Sequence, residues 1–287
     1  MRQTLLDYYS LAKPGIVRGN ILVALAGFLL AADGSVGFAP LCALVIGLSL
    51  VIASACACNN VIDRRLDRKM QRTRQRAIVA GRISPRQGWI FAALTGLIGL
   101  SVLASGTTLL ASGLAAVGHV AYVLIYGYVK RRSVYGTLAG TISGALPPVI
   151  GYTAVSGRLD VTAALLFAIL VVWQMPHFYA IAIFRLNDYK AAGLPVLPVV
   201  RDIAATRLQM IAYIAAFIII SPLLTAVGTT GLTYAIVIVL LGMTWFWHGL
   251  AGFATKNHDQ WARRMFRHSL VILICFSVLL ALEPILP

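Results

Sequence analysis

Apolar runs of roughly twenty residues recur along nearly the whole chain, divided by short polar segments, and this repetition constrains the fold more than any other feature. A run of that length crosses the hydrocarbon core of a bilayer as one helix. About nine such runs therefore predict about nine transmembrane helices and leave no room for a separate soluble domain. Composition agrees: 60% of the 287 residues are hydrophobic and 11% are charged, with a mean hydropathy of +0.86. That is too apolar for a domain with a wet surface. The expected fold is an all-α membrane protein, with residues 1–287 forming a single integral-membrane domain.

On the length criterion the spans fall at about 17–32, from 41 into Asn59, then 88–104, 109–128, 134–153, 161–184, 208–227 and 234–253, with the last ending near Pro287. The fifth is expected to kink or break at Pro147-Pro148. A basic loop is expected to run through Arg267 before the last span. Threading the spans alternately puts every Lys and Arg except Arg158 on the side of the N-terminus, which the positive-inside rule makes cytoplasmic, with the C-terminus on the outer side. The net charge of +15 sits between apolar runs without an aromatic-interleaved binding module. It reads as topology signals and phosphate ligands, with no nucleic-acid partner. Cys42, Cys56, Cys58 and Cys275 all lie in spans, and Cys56 and Cys58, two apart on a helix, point in roughly opposite directions and do not share a metal. No cleavable signal peptide is expected, because no small-residue cleavage pattern follows the first apolar run.

The second run ends abruptly in Asn59-Asn60-Val61-Ile62-Asp63-Arg64-Arg65-Leu66-Asp67. On a helix, Asn59, Asp63 and Asp67 are each about 400° apart and project from one face. Their donors are all oxygen, which suits Mg²⁺ and not zinc, since zinc would take Cys or His. A helix end with solvated charges is the plainer alternative, and three ligands in register followed by arginines weigh against it. Lys69, Arg72 and Arg76 lie within reach of phosphates, Arg64, Arg65, Arg68 and Arg74 read as topology anchors, and Lys130 with Arg131 on the same membrane face could complete a clamp. A divalent cation beside such a clamp is what a diphosphate ester needs to ionise. The membrane setting fits an isoprenoid diphosphate, and Tyr122, Tyr126, Tyr135, Tyr152, Trp173 and Phe178 are aromatic faces for an allylic cation, although packing alone also explains each.

The sixth run carries Trp173, Gln174, Pro176 and His177 and ends in a second polar junction, Arg185-Leu186-Asn187-Asp188-Tyr189-Lys190. The two junctions lie four spans apart on one membrane face, which suggests a weak internal repeat of two four-helix units with one additional helix. His119 and His177 are intramembrane and so are functional candidates, against an equally available structural role. His248, His258 and His268 are assigned none.

The stretches NNVIDRRLDRKMQRTRQR, VKRRSVYGTLAGTISGALPPVIGY, WQMPHFYAIAIFRLNDY and GLPVLPVV closely resemble the protohaem IX farnesyltransferase (haem O synthase) family of UbiA-type intramembrane prenyltransferases. The resemblance runs from Lys13-Pro14 to the last span. It implies transfer of the farnesyl group of farnesyl diphosphate to a vinyl group of haem B, with addition of water, in a bacterial inner membrane. It also implies that Asn59, Asp63 and Asp67 form a first Mg²⁺-diphosphate motif and that Asp188 belongs to a second. Phe184 stands where the wider family has another Asp, which puts a second metal in doubt. By the same resemblance Trp173, Gln174 and His177, with Tyr126 and Tyr135, border the haem and prenyl pocket, and His177 is a candidate axial ligand. Partners are then the bilayer, farnesyl diphosphate and haem B, with room for terminal-oxidase assembly factors. Two other readings remain: prenylation of an aromatic acid en route to a quinone, and secondary transport, which also uses internal repeats.

Overall fold

The computed structural model describes residues 2–286, and every regular element among them is helical. A short helix, α1 (Arg2–Leu11), precedes nine helices long and apolar enough to cross a membrane among the described residues. These are α2 (Pro14–Ala32), α3 (Phe38–Ile62), α4 (Pro85–Gly106), α5 (Leu109–Val129), α6 (Gly136–Ser156), α7 (Val161–Phe184), α8 (Ile203–Ala226), α9 (Leu232–Phe253) and α10 (His258–Ile285). The protein is therefore a multi-pass membrane protein.

Local chemistry sets the helix starts. Pro14 opens α2, where its missing N–H costs nothing. Ser84 and Gln87 form a reciprocal capping box that starts α4 at Pro85. Asp160, Asp202 and Asn257 each cap a helix with a side-chain oxygen, on the amides of Ala163, Ala205 and Gln260.

The helices close into a ring. α2 packs on α3, α3 on α4 and α4 on α5; α6, α7, α8 and α9 follow in the same neighbour-to-neighbour order, and α10 closes the circuit against α2, α7 and α9. The two groups of four are joined where α2 crosses α6. There a Cβ on Gly27 would strike the Pro148 carbonyl, and one on Gly151 would strike the Ala24 carbonyl, so only glycine lets the backbones meet. One core lies among α6 to α10, around Met175, Phe217, Tyr234 and Trp245. A second lies between α2, α3, α4 and α6, around Phe28, Leu44, Leu48 and Ile150. Leu94, Leu97 and Ile98 on α4 are exposed; in a bilayer that stripe meets lipid.

Several sequence expectations need correction. The basic segment before the last span is not a loop: Asn257 caps a helix from His258 onward, so Arg263, Arg264 and Arg267 lie in the first turns of α10, with Trp261 and Met265 on its buried face. α8 begins at Ile203 and not 208, because Asp202 supplies the cap. The break in α6 falls at Ala145, ahead of the prolines, which open the second helical segment. Apart from these corrections, α1 ahead of the spans buries Asp7 against Arg82 at 3.0 Å.

Candidate active site

α3 remains helical to Ile62, and Asp63 is its C-cap at φ −85°, ψ 1°. The i,i+4 register nevertheless continues: the Asp63 amide donates to the Asn59 carbonyl and the Asp67 amide to the Asp63 carbonyl, both at 2.8 Å. Asn59, Asp63 and Asp67 are all buried. Three side chains converge on Asp63. Asn59 Nδ2 donates to Oδ2 at 2.9 Å, Arg131 Nη2 donates to Oδ1 at 2.6 Å, and Lys130 Nζ donates to Oδ2. Burial pushes the Asp63 carboxyl up, but Lys130 and Arg131 outweigh it and hold the group below the usual carboxylate range. Asn59 Oδ1 in turn accepts from Lys13 Nζ at 3.1 Å, and burial lowers the Lys13 ammonium to about 8.

The loop after α3 folds back on itself. Thr73 Oγ1 donates to the Asp67 carbonyl at 3.0 Å, and Arg76 Nη1 donates to Asp67 Oδ2 at 2.6 Å. Arg76 is thereby brought into the site, and Arg72 comes within electrostatic range of Tyr126. Lys69 is exposed and forms no ion pair among the described residues. The second junction docks on this loop, with Asp188 Oδ1 accepting from the Gln71 amide at 3.0 Å and Tyr189, Ala192 and Leu194 packing on Leu66 and Met70. Phe184 lies edge-on to Phe266, with centroids 5.7 Å apart, and under the Arg263 guanidinium at 4.8 Å. Its position in the second motif is thus an aromatic contact.

In α5, residues Ala121–Tyr126 wind as a π-helical turn, a feature that concentrates at functional sites. It stacks Tyr122 on Tyr126 with centroids 5.4 Å apart, and Lys130 Nζ lies 4.7 Å above the Tyr126 ring. Gly140 leaves room for that ring. Tyr135 is placed apart, 70% exposed in the loop before α6. Deeper in α7, His177 stacks on Trp173 and contacts Phe266, both at 4.9 Å between centroids. Gln174 is buried against Gly144 and donates to the Leu170 carbonyl. Ser269 Oγ lies 2.7 Å from the Phe266 carbonyl and 2.7 Å from His177 Nδ1, hydrogen-bonded to both. With Nδ1 engaged by Ser269, Nε2 is the other ring nitrogen.

Among the described residues no three His, Cys, Asp or Glu side chains gather into one cluster. Asp63, Asp67 and Asp188 each have their own partner: Lys130 and Arg131, Arg76, and the Gln71 amide. The donor set nonetheless fits a hard cation: two buried carboxylates and an amide oxygen, with Lys and Arg donors beside them for phosphate. Sequence reasoning missed Lys13 as a member of this site. Its one signal was the Lys-Pro pair at the head of the first span, which reads as topology until the fold carries it to Asn59.

Residues 20–271 match the UbiA prenyltransferase family. This chain is a member of that family. It is 45% identical over 278 residues to a protoheme IX farnesyltransferase of Serratia proteamaculans, covering 96% of this chain and 94% of the relative. It is 44% identical over 282 residues to one of Photorhabdus laumondii, covering 98% and 96%. UbiA-type solved structures share the fold. A digeranylgeranylglyceryl phosphate synthase superposes with a TM-score of 0.78 at 16% identity, covering 99% of each chain. A UbiA homolog from Archaeoglobus fulgidus bound to GPP and Mg²⁺ gives 0.71 at 13% identity, covering 96% of this chain and 99% of that one.

Proposed function

We propose that this UbiA-family prenyltransferase transfers the farnesyl group of farnesyl diphosphate to a vinyl group of haem B, giving haem O. The observation that carries this reading is the 45% identity to protoheme IX farnesyltransferase over 96% of the chain. The farnesyl C1–O bond breaks, C1 bonds to the terminal vinyl carbon, and water captures the resulting cation and releases a proton, leaving diphosphate as the other product. The whole chain acts as one unit in a bacterial inner membrane, with the basic loops and the N-terminus cytoplasmic and the C-terminus periplasmic.

Mg²⁺, held by Asp63 and Asp67 with Asn59 and assisted by Asp188, would neutralise charge on the diphosphate oxygens. Asn59 orients the Asp63 carboxylate through its amide. Lys13, Arg76, Lys130 and Arg131 stand at the two carboxylates and their amide neighbour with donors suited to phosphate, and Arg72 and Lys69 continue the basic surface outward. Tyr122 and Tyr126 offer stacked π-faces next to the leaving group and no nucleophile stronger than a phenol. Deeper in α7, His177 Nε2, the ring nitrogen not engaged by Ser269, is the one available as an axial ligand to the haem iron, while Trp173 and Gln174 fix the wall behind it. Tyr135, in its exposed position, borders the entrance.

The test is purified protein in lipid nanodiscs given farnesyl diphosphate, Mg²⁺ and either haem B or a hydroxylated aromatic acid, with products identified by mass spectrometry. Haem O from the first mixture only, abolished by EDTA and restored by Mg²⁺, is the expected result. A prenylated aromatic acid, or ion-coupled flux in vesicles without prenyl transfer, would overturn the reading.

A further inference from the structure

Arg207 is the one Lys or Arg counted as fully buried among the described residues, 6% exposed, and no carboxylate pairs with it. Its Nη2 bonds His258 Nδ1, its guanidinium lies 5.1 Å from the Trp261 ring, and its Nε has no hydrogen-bond partner. An uncompensated buried cation is costly to a fold and is expected where a ligand supplies the missing anion. Arg207 lines a cleft of about 530 Å³, with Lys190, Arg201 and His258 beside it and Leu186, Pro198, Val199 and Ile203 as apolar wall. The one carboxylate there, Asp202, accepts from the Ala205 amide as the cap of α8 and forms no ion pair among the described residues.

This cleft shares Leu186, Ile203 and His258 with a neighbouring one of about 400 Å³, which runs past Phe184 to Asp188 and Gln71. The pair forms a trough that is cationic around Arg207, apolar at Leu186 and Ile203 where the two clefts meet, and polar at the other end, where Gln71, Arg185, Asn187, Asp188 and Asp259 line it on the diphosphate side of the site. His258 also stands eight residues before Phe266 on α10, about 12 Å along the axis from the ring that packs on His177. A flat apolar ligand with two carboxylate arms on one edge and reactive groups away from them matches this layout. A phosphate headgroup would satisfy the arginine but would leave the apolar wall of Leu186, Pro198, Val199 and Ile203 without a purpose.

We infer that the Arg207 cleft receives the propionates of haem B, with Arg207 as the buried anchor and Lys190 and Arg201 at the exposed rim. The inference rests on haem B being the acceptor. Arg207 and its neighbours then set which way round the porphyrin enters, and so which edge meets the farnesyl carbon.

The experiment compares haem B with its dimethyl ester, whose propionates are blocked, in titrations of the nanodisc-embedded protein followed by quenching of tryptophan fluorescence. Wild type should bind the ester about 10- to 100-fold more weakly than haem B, the range for hydrogen bonds to a charged partner. Arg207→Gln should bind haem B as weakly as wild type binds the ester, with ester affinity and affinity for a non-hydrolysable farnesyl diphosphate analogue unchanged. Equal binding of haem B and ester by wild type overturns the inference, and that arm needs no variant to fold. Equal weakening of both ligands in Arg207→Gln overturns it as well. So does loss of bound anionic phospholipid from Arg207→Gln in native mass spectra with haem affinity intact. Failure of wild type to bind either porphyrin would instead defeat the haem-acceptor reading itself.

Discussion

Asp63→Asn is the substitution that probes the site most directly, because it removes one charge and little volume. Of the three donors on Asp63, Asn59 loses nothing, since an Asn side-chain oxygen still accepts its amide bond at 2.9 Å. The Arg131 side chain is 35% exposed, so screening holds its share to about 0–1 kcal/mol. Lys130 is different: it shares Oδ2 with Asn59 and keeps an oxygen acceptor there, but its side chain is 11% exposed and that of Asp63 10%, so losing the desolvated counter-charge costs about 1.5–3 kcal/mol. The total is a destabilisation of about 1.5–4 kcal/mol, and it should be largely reversed by Lys130→Met, which removes the stranded ammonium. A double-mutant cycle in SDS-titration unfolding should then show coupling of about 2 kcal/mol. Turnover should fall about a hundredfold or more in Asp63→Asn and should not return in the double variant, because the anionic donor is still missing. Additive effects, with coupling under about 0.5 kcal/mol, would refute the account of Lys130 as a desolvated partner. Near-wild-type turnover in Asp63→Asn would refute the role of the carboxylate in ionising the diphosphate.

Three further perturbations test other parts of the structure. Lys13→Met should raise KM for farnesyl diphosphate about tenfold while leaving haem affinity unchanged in binding titrations, since Lys13 reaches the first junction only, through Asn59. Gly27→Ala should cost about 3 kcal/mol in the same unfolding assay, because the added methyl meets the Pro148 backbone and not a yielding side chain. Asp160→Ala should cost about 1–2 kcal/mol by removing the cap on Ala163. Burial raises the Asp160 carboxyl, but the Ala163 amide, the Tyr152 hydroxyl and Arg158 together hold it below 3.8. Its contribution is therefore full above that value and is lost as the pH falls below it, so unfolding of wild type, but not of Asp160→Ala, should gain this acid dependence.

Membrane architecture and family were legible in the sequence because each follows from local pattern. Apolar runs of bilayer length can be satisfied only by helices, so the number of spans could be read directly, and the four quoted motifs pointed to the family that the match over residues 20–271 supports. The spacing of Asn59, Asp63 and Asp67 likewise foretold a shared face, since backbone bonds at 2.8 Å carry the helical register through the C-cap. Less legible were the helix starts at Ile203 and His258, which depend on single capping residues that the hydropathy pattern does not weigh.

Only the tertiary structure could decide which charges meet. Lys13 reaches Asn59 across 46 positions of sequence, Lys130 reaches Asp63 across 67, and Asp188 reaches the Gln71 amide across 117, and no periodicity encodes such pairings. The same holds for Arg207, which in the sequence is one of 24 basic residues and in the fold is a buried cation with no carboxylate partner among the described residues. Sequence sets what each segment can be, because secondary structure in a bilayer is a local solution for backbone polar groups. The closed ring of helices sets which segments face each other, and with that it places Lys130, Arg131 and Asn59 around Asp63.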